Sequence, residues 1–424
     1  MTMHWSTIAA AVALIAAATA VEAQNPSPLE RLTPSKPSVA DRDNPGVPQS
    51  GPQADAARET LKRIRLPPGF QIDLYAMVPG ARTLAVAPRT GVVFVGTRRT
   101  RVWSVTDRNR DGVADNVKPF APWVNFNGAN GVAVSSDGSL YVAELNRVLV
   151  FPNAASRYEN ADIAAHVVVP QGMLIPPGEE SPNHSTRVIK VGPDRKLYIG
   201  LGQPYNVTPV DKIALYAQLG IGGIVRMDAD GTHREVFARG ARNPGGIAPH
   251  PDGSVWWNDH QVDSMGDTIP PGETNISTRA GQDFGFPWYG GGKVRTAEYK
   301  DSTAPADAVF PVLEHDAHAA DMGATFYDGK QFPEVYRGGY FWAQHGSWNR
   351  SDPVGARVMW VPVKDGKPAG QPQPFADGWN VGTNAYLGRP TDVAVLDDGS
   401  MLVADDLVGA IYRITYAKPR VTQQ

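Results

Sequence analysis

The chain has 424 residues, no cysteine and a formal net charge of −3. Without cysteine there can be no disulfide, thiolate metal site, iron–sulfur cluster or covalently attached c-type haem. Without a basic excess there is no electrostatic footprint for nucleic acid.

Met1–Ala23 reads as a secretory signal. Ile8–Val21 is apolar and alanine-rich but too short to cross a bilayer, and Val21-Glu22-Ala23 sets small residues before a cut at Gln24. The stretch ahead of it is atypical in carrying His4 but no Lys or Arg. No later segment is long and apolar enough for a membrane helix. The expectation is a periplasmic or secreted protein with no membrane span. Residues 24–60, rich in Pro, Ser and Asp, are expected to be a flexible tether, with Ala56–Ile64 the best short helical candidate. Residues 61–420 are expected to form one domain.

From Leu66 onward one pattern recurs: an apolar strand, a turn with Asp-Gly or a variant, and a second apolar strand. It appears at Thr83–Thr97, Val132–Glu144, Val188–Gly202, Ile247–Asp259 and Val393–Asp406. A sixth copy fits Gly323–Val361. The 43 glycines and 37 prolines are spread along the chain, as many short strands joined by turns require. A strand-built repeat of this size predicts an all-β fold, a six-bladed β-propeller of four-stranded antiparallel blades. Phe70–Tyr75 is expected to supply the outer strand of the last blade and close the ring.

Candidate chemistry follows in chain order. Asp107, Asn109, Asp111 and Asp115 with Gly112 match the start of a calcium loop. The usual acidic twelfth position is Lys118, so the motif is partial, and an Asp/Gly-rich hairpin turn is the alternative. His184, three residues before Arg187 and just ahead of a strand, is a candidate proton acceptor; a plain surface histidine is the alternative. Arg242 and Asn243 hold the same relative place one blade later, suited to an anionic oxygen. The loop Trp257–Asp263, with Asp259, Gln261 and Val262, is a candidate hard-cation site or an ordinary polar loop. His345 and Trp348 end a strand of the next blade, and Arg389 precedes one in the last. So many cations at one end of a ring, in a chain of net negative charge, predict a polyanionic ligand. Trp348 and Tyr205 are candidates for stacking, or for simple packing.

Together these stretches resemble the soluble quinone-dependent sugar dehydrogenases, most closely their sorbosone-dehydrogenase-like branch. The resemblance runs over about Leu66 to Tyr416. It rests on the His184 loop with VGPDRKLYIG, on ARGARNPGG at 238–246, on YDGKQFPEVYRGGYFWAQHGSWNR, and on GRPTDVAVLDDGSMLVADD at 388–406. It implies pyrroloquinoline quinone (PQQ) as cofactor with Ca²⁺. His184 matches the general base, and Arg242 and Asn243 match the pair at the quinone carbonyl. Arg389 matches a carboxylate-gripping arginine. The Gln261–Val262 loop matches the one whose carbonyls hold the catalytic calcium. Arg187, His345 and Trp348 are expected beside the cofactor. Three departures stand out: Gln203 falls where an acidic residue assists the base, Thr391 where a second cofactor arginine stands, and His345 near the cofactor lysine. The implied activity is oxidation of a sugar hemiacetal or a sorbosone-like aldehyde, with electrons leaving to a separate cytochrome or quinone acceptor. Two alternatives stay open, a calcium-dependent propeller lactonase or esterase and a non-catalytic binding propeller.

Overall fold

A computed structural model describes residues 29–33, 45–160, 162–382 and 385–417. The expected signal, Met1–Ala23, lies outside the described residues.

Six blades form the ring, each built on four antiparallel strands, and Gln282–Asp283 adds a short parallel strand to the edge of the third. In chain order their innermost strands are Thr83–Val86, Gly131–Val134, Val188–Val191, Pro244–Pro249, Asp321–Phe326 and Pro390–Val395. The six hairpins predicted from the repeat are the inner two strands of the six blades. Three share one turn device: the first carboxylate oxygen of Asp137, Asp252 and Asp398 accepts the amide of the serine two residues on, at 2.8–2.9 Å, and Gly138, Gly253 and Gly399 take the positive φ that follows. In the third blade Arg195 holds the left-handed position, at φ 63°.

Ring closure follows the sequence reading and extends it. Phe70–Met77 pairs antiparallel with Ala410–Tyr416, from Phe70 opposite Tyr416 to Met77 opposite Ala410. The outermost strand of the sixth blade therefore comes from the start of the domain. Phe70 fastens the join: its ring packs at 4.7–5.3 Å between centroids on Phe332, Tyr336, Phe375 and Tyr416.

The stretch expected to be a tether is partly built into the fold. Arg31–Leu32 adds a short fifth strand to the edge of the second blade. The helix Pro52–Leu61 buries Ala54, Ala57 and Leu61 against the core shared by the fifth and sixth blades. It starts four residues ahead of the expected Ala56, with proline at its first position, where a missing N–H costs nothing. Small alanines let its backbone lie close, which composition alone disguised as linker.

Candidate active site

Antiparallel pairing brings the start of each innermost strand and the end of the next strand to the same end of the ring. Residues just before the former and just after the latter therefore gather around one mouth. There they line a cavity of about 330 Å³ that includes His184, Arg242, Asn243, Gln261, His345, Trp348 and Arg389. These seven are the sequence candidates that the fold brings together.

His184 sits in the left-handed region, at φ 49°. It lies against Gly202, where a Cβ would stand 2.6 Å from the histidine's own Cβ and 2.5 Å from its carbonyl oxygen. Only glycine permits that approach, and it lets His184 Nδ1–H donate to the Gln203 carbonyl at 2.5 Å. Nε2 is left as the acceptor. Burial, then the Arg242 charge, pushes the imidazole down to about 4, so it is neutral near pH 7. The Gln203 side chain is turned away onto Tyr205 and Thr208. Where an acidic side chain was the family pattern, a main-chain carbonyl orients the ring.

Arg242 is 5 % exposed and is held by the carbonyl and side-chain oxygens of Asn206, at 3.0 and 2.9 Å, and by Asp263 at 2.7 Å. Asn243 donates to Nδ1 of His260 at 3.1 Å, and Nε2–H of His260 donates to the Asp321 carbonyl at 2.8 Å. Burial pushes His260 down to about 3, again neutral. Arg389 gives two hydrogen bonds, to the carbonyls of His345 and Gly346 at 2.9 and 2.6 Å. Trp348 stands at the mouth, 74 % exposed.

Other candidates are placed elsewhere. Arg187 is buried behind the cavity, donating to the carbonyls of Leu145 and His184. It supports the His184 backbone and does not line the cavity. Asp259 is spent on the amides of Arg242 and Asn243, at 2.9 and 2.7 Å, and burial raises its carboxyl to about 6. It anchors the Arg–Asn pair. Val262 gives its amide to Gly290 and is not among the lining residues. Tyr205 stacks on Tyr216 outside the cavity, which is the packing alternative. Thr391 is buried in its strand, donating to the Ala404 carbonyl.

The loop Asp107–Asp115 joins the third and fourth strands of the first blade, away from the cavity. Its side chains accept from its own backbone: Asp107 from Asp111 and Gly112, Asp111 from Val113, Asp115 from Arg108 and Asn109. Among the described residues no three His, Cys, Asp or Glu converge to hold a metal. The loop's carboxylates are thus engaged by its own backbone amides.

The glucose/sorbosone dehydrogenase family model matches residues 172–344, the span that carries His184, Arg242, Asn243 and the Gln261 loop. A protein of Borreliella burgdorferi with no described function is 30% identical over 375 residues, covering 86% of this chain and 93% of that one. The chain belongs to the glucose/sorbosone dehydrogenase family. A second family model, TrAA12-like, matches residues 272–417. Among solved structures, the iodide structure of a Trichoderma reesei enzyme of carbohydrate-active family AA12 superposes with TM-score 0.68 at 17% identity, over 84% of this chain and 98% of that chain. The holo PQQ domain of Coprinopsis cinerea pyranose dehydrogenase gives 0.65 at 17%, over 83% and 97%. The PQQ-bound aldose sugar dehydrogenase of Streptomyces coelicolor gives 0.57 at 18%, over 83% and 100%. At these identities the likeness is one of fold.

Within this family member the cavity holds residues that the sequence reading passed over: Arg82, Arg98, Asn130, His318, Asn349 and Met322. Two were findable. Arg82 and Asn130 immediately precede the innermost strands of the first and second blades, as Asn243 and Arg389 do in the fourth and sixth. His260 and Asp406 immediately follow the second strands of their blades, as His345 does.

Proposed function

We propose that the chain is an exported sugar dehydrogenase that uses PQQ with Ca²⁺ to oxidise an aldose-type hemiacetal or a sorbosone-like aldehyde. One observation carries this reading: four arginines, Arg82, Arg98, Arg242 and Arg389, line a cavity that also holds a neutral histidine with a free nitrogen. A planar tricarboxylate fits that donor set. Arg82 Nε and Asn349 Oδ1 are buried there with no partner, and buried polar groups left so are costly unless a ligand or water takes them. Arg389, Arg82 and Arg98 would hold carboxylates, with Arg242 and Asn243 at the reacting end. Among the described residues no hydrogen bond ends on the carbonyls of Gln261 or Val262. These are hard oxygen ligands of the kind Ca²⁺ takes, and the other ligands would come from the cofactor and water.

When bound, the quinone supplies the hydride acceptor that no side chain offers. His184 Nε2 takes the proton of the sugar hydroxyl, with the ring fixed by Gln203. Arg242, its guanidinium already locked by Asp263 and Asn206, presents a fixed positive charge where negative charge develops, without reorganising. Trp348 offers an exposed ring face to a sugar at the mouth. A lactonase or esterase would need free carboxylates on the channel, whereas Asp263 is tied to Arg242 and Asn349.

The test is a titration of the purified protein with PQQ and Ca²⁺, followed by visible absorption. A charge-assisted hydrogen bond contributes roughly 1.5–3 kcal/mol, so Arg389→Ala should weaken uptake by about 10- to 150-fold. Equal uptake by the variant and the wild type would refute the placement.

A further inference from the structure

His345 lines the cavity, and its surroundings are those of a proton acceptor. Nε2–H donates to Asp406 Oδ1 at 2.8 Å, and the other carboxylate oxygen takes Arg82 Nη1. Among the described residues Nδ1 carries no hydrogen bond. The charged groups facing the ring are Asp406, Arg82 and Arg389. Burial outweighs the carboxylate and leaves the imidazole neutral, down at about 4, while the His345 N–H and Arg82 hold Asp406 well below the usual carboxylate range. Neutral imidazole beside an ionised carboxylate is the arrangement that fixes one tautomer and steadies the imidazolium once formed. Asp406 also borders two grooves outside the cavity, one of them lined by Arg98, Arg99 and Trp103. The pair therefore reaches from the cavity to the neighbouring surface grooves.

We propose that His345 is a second proton acceptor of this site, taking up and releasing a proton of the cavity at Nδ1, with Asp406 and Arg82 as positioning residues. The proposal rests on the dehydrogenase reading above. Oxidising a hemiacetal breaks one C–H and one O–H bond and forms one C=O bond, so two electrons and two protons leave the substrate. The two electrons would go, by way of the cofactor, to two equivalents of an external one-electron carrier. Both protons must leave the cavity. His184 takes the hydroxyl proton; the second is released there when the carrier withdraws the electrons. His345 Nδ1 binds that proton and the ring becomes imidazolium, steadied by the Asp406 carboxylate on Nε2–H. Nδ1 then gives the proton to water entering through the mouth, which restores the neutral Nε2–H form with the Asp406 hydrogen bond intact.

Two measurements test this on the full chain. In cofactor-free protein with ¹⁵N-labelled histidine, the signals lost in His345→Gln identify the ring. The expected form is neutral with the proton on Nε2, and Asp406→Asn should lower its titration midpoint; a proton on Nδ1 would overturn the assignment. With PQQ and Ca²⁺ bound, His345→Gln should slow turnover by about 10²–10⁴-fold at an unchanged melting temperature. Asp406→Ala should also be slow and should recover as formate is added, which a purely structural loss would not do. If wild type turns over and His345→Gln matches its rate and pH profile, the pair has no such role. If wild type takes up no quinone, the dehydrogenase reading fails and this inference falls with it.

Discussion

His184 can accept a proton only while its imidazole is neutral. Burial and the Arg242 charge hold it down at about 4, so the switch lies on the acid side. As pH falls through about 4 the ring gains a proton and loses its free lone pair. Turnover should therefore climb between about pH 3 and 5 and stay level above that until another group limits it. The same shift appears in stability: the unfolded ring titrates near 6.5, so the unfolded state binds the extra proton first. The stability contribution is complete above about 6.5 and is lost as pH falls toward about 4. His184→Gln keeps much of the side-chain volume but lacks the basic nitrogen. It should cost about 10²–10⁴ in turnover while quinone affinity holds, because the arginines grip elsewhere. A stopped-flow comparison of loaded wild type and variant checks this. At this scale the sequence revealed several side chains that reach the mouth from just ahead of an innermost strand, His184, Arg242, Asn243 and Arg389. It could not reveal that Arg187 turns back onto its own loop, or that Asp259 is consumed by two amides, because both depend on where main-chain groups from other segments end up.

At the scale of elements, the hairpins were readable because apolar strands flank a tight turn, and in three of them a turn aspartate accepts the amide two residues on. The closing strand was readable for another reason: Phe70–Met77 is apolar yet has no partner nearby in sequence, while Ala410–Tyr416 ends the repeat one strand short. The helix Pro52–Leu61 was only half readable, since its buried face is two alanines and a leucine in a polar stretch. Phe70 is where this account of closure is most exposed. Its ring joins the first-entering strand to the aromatics of the fifth and sixth blades. Phe70→Ala should cost about 3 kcal/mol, near the low end for removing a packed phenylalanine because the residue is only partly buried. Denaturant unfolding would measure it. Quinone affinity should be unaffected, since Phe70 does not line the cavity.

For the whole molecule, the ring gives six structurally equivalent positions at one mouth, and this chain fills them mostly with arginine, asparagine and histidine. That is why a chain of net charge −3 carries a cationic cavity. Its low-dielectric walls strengthen each of those charges toward an anion. The central claim is that this cavity holds a redox-active quinone and passes it a hydride from sugar. The direct measurement is anaerobic: load the wild-type protein with PQQ and Ca²⁺, add aldoses and sorbosone-like aldehydes in turn, and follow the quinone absorption. The account predicts tight uptake and full reduction of the bound quinone by at least one of these sugars, with one sugar oxidised per quinone. Protein that takes up no quinone, or bound quinone that every sugar leaves oxidised, would contradict it.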